Sequence, residues 1–165
     1  MIISAQCARE EAARVLLEML AEKYGRRLLG MAVFGSTARG VATEASDLDF
    51  LICATPLPQG RYQRVTEFDE LIEWAFRDQW EGAGNAPIDL SPVIRTPEEL
   101  LAGSPLLFDL TVRVWILRDD GGAIARALDR MRTRLDRAGA RRLTRGGLSW
   151  WDLKPDFRPG ESYSL

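Results

Sequence analysis

The residues best suited to chemistry form a short series of carboxylates and one glycine-rich turn. In the segment Asp47-Leu48-Asp49-Phe50-Leu51-Ile52, strand geometry sends alternate side chains to opposite faces. Asp47 and Asp49 therefore share a face, with Cα atoms about 6.5–7 Å apart. Two ionised carboxylates this close repel unless a cation lies between them, and an all-oxygen donor set suits Mg²⁺ or Mn²⁺. The competing readings are a solvated strand face or a Ca²⁺ loop. A third carboxylate, Asp89, stands in Ile88-Asp89-Leu90, flanked by apolar residues, where an unpaired Asp fits neither strand propensity nor burial. It is either a further ligand or an exposed strand-edge residue. Upstream, Gly35-Ser36-Thr37-Ala38-Arg39-Gly40 follows an apolar strand directly. Gly35 lets a ligand approach the backbone, Ser36 offers a hydroxyl and an N–H, and a helical turn after it presents N–H groups to an anion. Arg39 adds a charge able to meet phosphate oxygens in a bidentate manner. Alone, this segment is also compatible with a plain turn.

Composition removes the main rival chemistries. The chain of 165 residues has no histidine, which excludes Ser/His/Asp and Cys/His relays and histidine zinc sites. The two cysteines, Cys7 and Cys53, are too few for a metal knuckle and are expected to be reduced and structural. At 46% hydrophobic and 28% charged residues the chain reads as one ordinary globular domain rather than a disordered or fibrous one. No leader pattern opens it and no apolar window is long enough for a membrane span. The expectation is a cytoplasmic protein without a membrane partner.

A phosphate cradle, two same-face aspartates and a third aspartate are together the parts needed for two-metal phosphoryl or nucleotidyl transfer. Gly35-Ser36-x-Ala38-Arg39-Gly40, then Asp47-x-Asp49, with Asp89 further on, resembles the DNA polymerase beta superfamily and, more narrowly, its minimal nucleotidyltransferases. The resemblance implies that Asp47 and Asp49 hold two Mg²⁺ ions and that Asp89 completes the second metal site on the acceptor side. It implies that Gly35 and Ser36 bind the β- and γ-phosphates of ATP, supported by Arg39. AMP would pass to a hydroxyl and pyrophosphate would leave. Minimal members of this kind resemble the antitoxins of HEPN toxin pairs, which implies a HEPN-type toxin partner carrying the acceptor tyrosine. Transfer to RNA or to a small hydroxyl compound, and toxin neutralisation by contact alone, are the alternatives. Assembly into a homo-oligomer is left open.

Periodicity supplies the elements that must position these groups. Ala8, Ala12, Val15, Leu16, Met19 and Leu20 give a helix capped by Ser4 and ending near Gly25. Strands are expected over 30–34, 47–53, 87–94 and 112–117. Helices are expected over 61–80, over 97–101 behind Thr96, and over 123–138, where Ile124, Leu128, Met131, Leu135 and Ala138 make one stripe. The segment 106–110 is ambiguous between helix and strand. This is an α/β (α+β) architecture, a mixed sheet flanked by helices, with residues 1–148 as the catalytic domain and 149–165 as an extended tail. Trp150, Trp151, Phe157 and Tyr163 are expected to pack that tail on the domain. The formal charge of -2 hides a basic outer face over 126–145, including Arg126, Arg130, Arg132, Arg134 and Arg137. Nucleic-acid binding by this face is not favoured, because few aromatics interleave with it for base stacking.

Overall fold

A computed structural model describes residues 4–146 and 148–156. The described chain begins with α1 (Ala5–Tyr24), whose Ser4 hydroxyl accepts from the Cys7 N–H and so satisfies one orphan donor of the first turn. Then come β1 (Leu28–Val33), α2 (Gly35–Arg39) and β2 (Leu48–Ala54). The helix expected over 61–80 runs without a break from Arg61 to Gly82, as α3 (Arg61–Phe68), a π-helical turn at Asp69–Glu73 and α4 (Trp74–Gly82). β3 (Leu90–Arg95), α5 (Pro97–Ala102) and α6 (Leu106–Leu110) follow, so the ambiguous segment is a helix. β4 (Trp115–Asp119) and α7 (Ala123–Ala138) complete the main body.

The four strands form one sheet in the order β3-β2-β1-β4, with β2 parallel to β3 and antiparallel to β1, and β4 antiparallel to β1. Both faces are covered. Phe50 and Ile52 of β2, with Met31 and Val33 of β1, pack under α1, α3 and α4. Leu51 and Cys53 face the opposite way, with Ala32, towards α5, α6 and α7. Burial on both sides explains why β2 reads as an unbroken apolar run after Asp49 rather than as an alternation. Gly30 is required where α7 crosses β1, because a Cβ there would lie 2.8 Å from Ile124 Cδ1 and 2.9 Å from the Arg118 carbonyl.

Polar side chains lock the frame. Thr96 and Glu99 form the capping box of α5, and Glu99 also receives two hydrogen bonds, 2.7 and 2.9 Å, from the buried Arg64 of α3. Arg64 donates further to the Pro58 and Ile94 carbonyls, tying α3 to the edge strand. Asp119 caps α7 by accepting from the Ile124 and Ala125 N–H groups.

The C-terminal region differs from the extended tail expected. Arg141–Arg145 (β5) and Leu148–Asp152 (β6) pair as an antiparallel hairpin that is separate from the main sheet. Trp151 packs against the α7 side of the core, while Trp150 remains 46% exposed beside Leu143. Phe157 and Tyr163 lie outside the described residues. Cys53 is buried and Cys7 exposed, and neither thiol is paired, so the structural role expected of Cys7 does not fit its place on the outer face of α1.

Candidate active site

The end of the sheet where β1 gives way to α2 is the centre of the cleft. The Phe34 N–H donates to the Asp49 carbonyl, so the chain leaves β1 directly beside the carboxylate-bearing end of β2. Gly35 then takes φ +66°, a left-handed value that L side chains rarely adopt. A Cβ at Gly35 would sit 2.1 Å from Asp49 Oδ2. The carboxylate thus occupies the space that any other residue at this position would claim.

Five of the residues picked out by sequence line one cleft of about 740 Å³: Gly35, Ser36, Arg39, Asp47 and Asp49. This volume is in the range of small-molecule and cofactor sites. Asp47 is exposed and Asp49 half-buried. Burial raises the Asp49 carboxyl above the usual carboxylate range, and the charge of Asp47 raises it further, against the opposing effects of the Ser91 hydroxyl and Arg39. Two carboxylates of like charge, one of them already paying a desolvation cost, fit a divalent cation as the missing counter-charge.

Asp89 is placed differently from the other two. It precedes β3 instead of lying within it, its side chain is exposed, and it is not part of the cleft lining. Its backbone is nonetheless adjacent, because its carbonyl accepts from the Leu48 N–H, and the β2–β3 register of Leu48 with Leu90 continues to Asp47 with Asp89. Among the described residues, no group of three or more His, Cys, Asp or Glu side chains is gathered closely enough to hold a metal ion.

Several contributors were not read from the sequence. α1 pins both loops of the site: Gln6 donates to the Thr37 carbonyl and accepts from the Ala42 N–H. Arg9, only 3% exposed, donates to the carbonyls of Ala5, Glu44 and Ser46 and so holds the segment leading into Asp47. Its signal was a charge in the apolar stripe of α1, four residues before Ala13. On the far side of the cleft stand Asp109 of α6, Arg113, and Arg142 and Ser149 of the hairpin.

The family model described as nucleotidyltransferase domain matches residues 13–106, a range that holds the α2 turn and all three aspartates. The chain belongs to this family. It is a nucleotidyltransferase, and a nucleotide is its substrate. The nucleotidyltransferase is 32% identical over 106 residues to a Methanocaldococcus jannaschii protein named "Putative protein adenylyltransferase", covering 62% of this chain and 67% of that one. Among solved structures, it is similar to one described as a toxin-antitoxin with AMP-PNP, at 15% identity and TM-score 0.46, covering 77% of this chain and 92% of that one. Another is a tri-AMPylated Shewanella oneidensis HEPN toxin in complex with an MNT antitoxin, at 12% identity and TM-score 0.42, covering 79% and 92%. Gln6 and Arg9 lie before the matched range of this nucleotidyltransferase and Arg113 and Arg142 after it. No described helix is long and apolar enough to cross a membrane.

Proposed function

We propose that this nucleotidyltransferase transfers AMP from ATP to a hydroxyl on a protein, a tyrosine of a HEPN-type toxin, with Asp47, Asp49 and Asp89 as metal ligands and Gly35, Ser36 and Arg39 on the phosphates. The observation that carries the site assignment is the contact between Asp49 and the vacant Cβ position of Gly35, 2.1 Å from Oδ2. It joins the phosphate turn and the carboxylate pair into one unit. A protein acceptor is supported by the name of the relative from Methanocaldococcus jannaschii, and the HEPN partner by the resemblance of the motif over 35–49 to minimal nucleotidyltransferases. A cytoplasmic location, where ATP is supplied, goes with this reading.

In the reaction, the acceptor oxygen forms a bond to the α-phosphorus while the bond from that phosphorus to the bridging oxygen breaks. The electron pair leaves with pyrophosphate, and the hydroxyl proton passes to a carboxylate or to water. Mg²⁺ or Mn²⁺, held by Asp47 and Asp49 with Asp89, would neutralise phosphate charge and lower the pKa of the acceptor hydroxyl. The N–H groups at the start of α2 and the Ser36 hydroxyl bind and orient the polyphosphate. Arg9 and Gln6 hold the two loops at fixed separation, which keeps the carboxylates aimed at the nucleotide.

The test is incubation of the purified chain with α-labelled ATP, Mg²⁺ and the product of the neighbouring gene. Label on a partner tyrosine is the expected result. An unlabelled partner overturns the acceptor assignment, and label transfer that persists in D47N D49N overturns the site assignment.

A further inference from the structure

The hairpin and the segment after α6 bring two arginines to the cleft that the motif does not contain. Arg113 and Arg142 both line it, both are exposed, and neither side chain makes a hydrogen bond or ion pair with a described residue. Other arginines of this half of the chain are engaged elsewhere: Arg118 with Asp120, Arg132 with Asp129, Arg134 with the Ala102 carbonyl.

Register fixes where Arg113 stands. β4 runs antiparallel to β1 with Trp115 opposite Val33, and two residues further on each chain are Arg113 and Gly35. The strand order β2-β1-β4 then places Arg113 beside the Gly35–Ser36 turn on the flank away from Asp47 and Asp49. The hairpin fixes Arg142. Pairing of Arg142 with Trp151 and of Thr144 with Ser149 puts these four side chains on one face, and Leu143 with Trp150 on the other. Trp151 is packed into the α7 side of the core, and Ser149 lines the cleft with Arg142. The Arg142 face is therefore the one turned to the cleft.

We propose that Arg113 and Arg142 bind the β- and γ-phosphates of the nucleoside triphosphate, and so the pyrophosphate that leaves. This rests on the nucleotide reading above. The carboxylates of Asp47, just ahead of β2, and Asp49, within it, mark where the reacting α-phosphate must lie, and the Gly35–Ser36 turn takes the next phosphates, so the chain of phosphates runs towards Arg113. As the bond from the α-phosphorus to the bridging oxygen breaks, its electron pair passes to the pyrophosphate. Negative charge thus rises where two unpaired guanidinium groups lie. The hairpin becomes a wall of the nucleotide site that the matched family range does not include.

Calorimetric titration of the full chain with ATP, pyrophosphate and AMP in Mg²⁺ tests this, using R113A, R142A and, as a charge control, R137A on the exposed face of α7. A charge-assisted hydrogen bond lost should weaken ATP and pyrophosphate by roughly ten-fold or more in each cleft variant. AMP should change less than two-fold, and R137A should match the unaltered chain. ATP affinity unchanged in R113A and R142A overturns the inference and leaves these arginines to an acidic acceptor surface. Equal weakening of AMP, or an equal loss in R137A, overturns it as well. Failure of the unaltered chain to bind ATP overturns the nucleotide reading itself, an outcome distinct from the others.

Discussion

Replacing Gly35 with alanine separates two effects that usually come together. The left-handed backbone at this position, φ +66°, costs a non-glycine residue roughly 1–2 kcal/mol, or about 2–8 °C of melting temperature in a chain of this size. The new methyl would also meet Asp49 Oδ2 at 2.1 Å. Ordinary contact needs the carboxylate to retreat by about 1 Å, and a displacement of that size at a reacting centre is enough to lower turnover about 100-fold. Gly25 provides the control: it has φ +55° and nothing within 4 Å of its Cβ position, so G25A carries the backbone cost without the clash. Melting curves and initial rates of pyrophosphate release are the measurements. Both variants should lose comparable stability, and only G35A should lose turnover. Turnover in G35A within three-fold of G25A would refute the placement of Asp49 against the turn.

Further outcomes follow from other contacts. D47N and D49N should abolish AMP transfer without lowering the melting temperature, since each removes a charge from a repelling pair; a large loss of stability would contradict a functional rather than structural role. R9M should cost about 1–3 kcal/mol by stranding the Glu44 and Ser46 carbonyls, and should lower kcat more than ATP affinity. R9K should not restore kcat, because an ammonium lacks the fork that spans two carbonyls, and full recovery would argue against loop positioning. The Arg64 hydrogen bonds hold the Glu99 carboxyl below the usual glutamate range, against the effect of burial. Because the folded-state pKa is depressed, the stability from this pair is complete above the unfolded value and is lost as pH falls through the folded one. The gap in melting temperature between the unaltered chain and E99Q should therefore be full at neutral pH and close in the acid range. It should reflect no more than about 1 kcal/mol, as Glu99 is partly open to solvent. A gap that does not change with pH would dismiss the pair as its source.

Much of the cleft was legible because it depends on local periodicity. Alternation over 47–49 put Asp47 and Asp49 on one face, and both do line the cleft although Asp47 stands just ahead of β2; the Gly35 turn follows from an apolar strand meeting glycine. The α7 stripe likewise gave its limits. Asp89 was harder, since whether it lies in β3 or ahead of it depends on where pairing with β2 begins, a tertiary property. The π-helical turn at Asp69–Glu73 leaves no mark on a stripe that still places Phe68, Ile72 and Phe76 inward. The hairpin did carry a signal in Gly146-Gly147, a dipeptide suited to a two-residue turn. It went unread because Arg141–Arg145 is exposed throughout and so carries no apolar alternation to mark a strand. Arg113 and Arg142 could not be located at all without strand order, because they come from separate elements far along the chain.

The contacts that α1 makes with the two loops of the cleft have a consequence for how such a site can diversify. Gln6 and Arg9 bind Thr37, Ala42, Glu44 and Ser46 through carbonyl or N–H groups only. Every residue but proline at position 42 presents those same groups, so the side chains of the loops can be exchanged without loosening the clamp. Placement is inherited from the helix and identity is left to drift. A lineage could retune what the rim of the cleft recognises, one substitution at a time, while the carboxylates stay where they are.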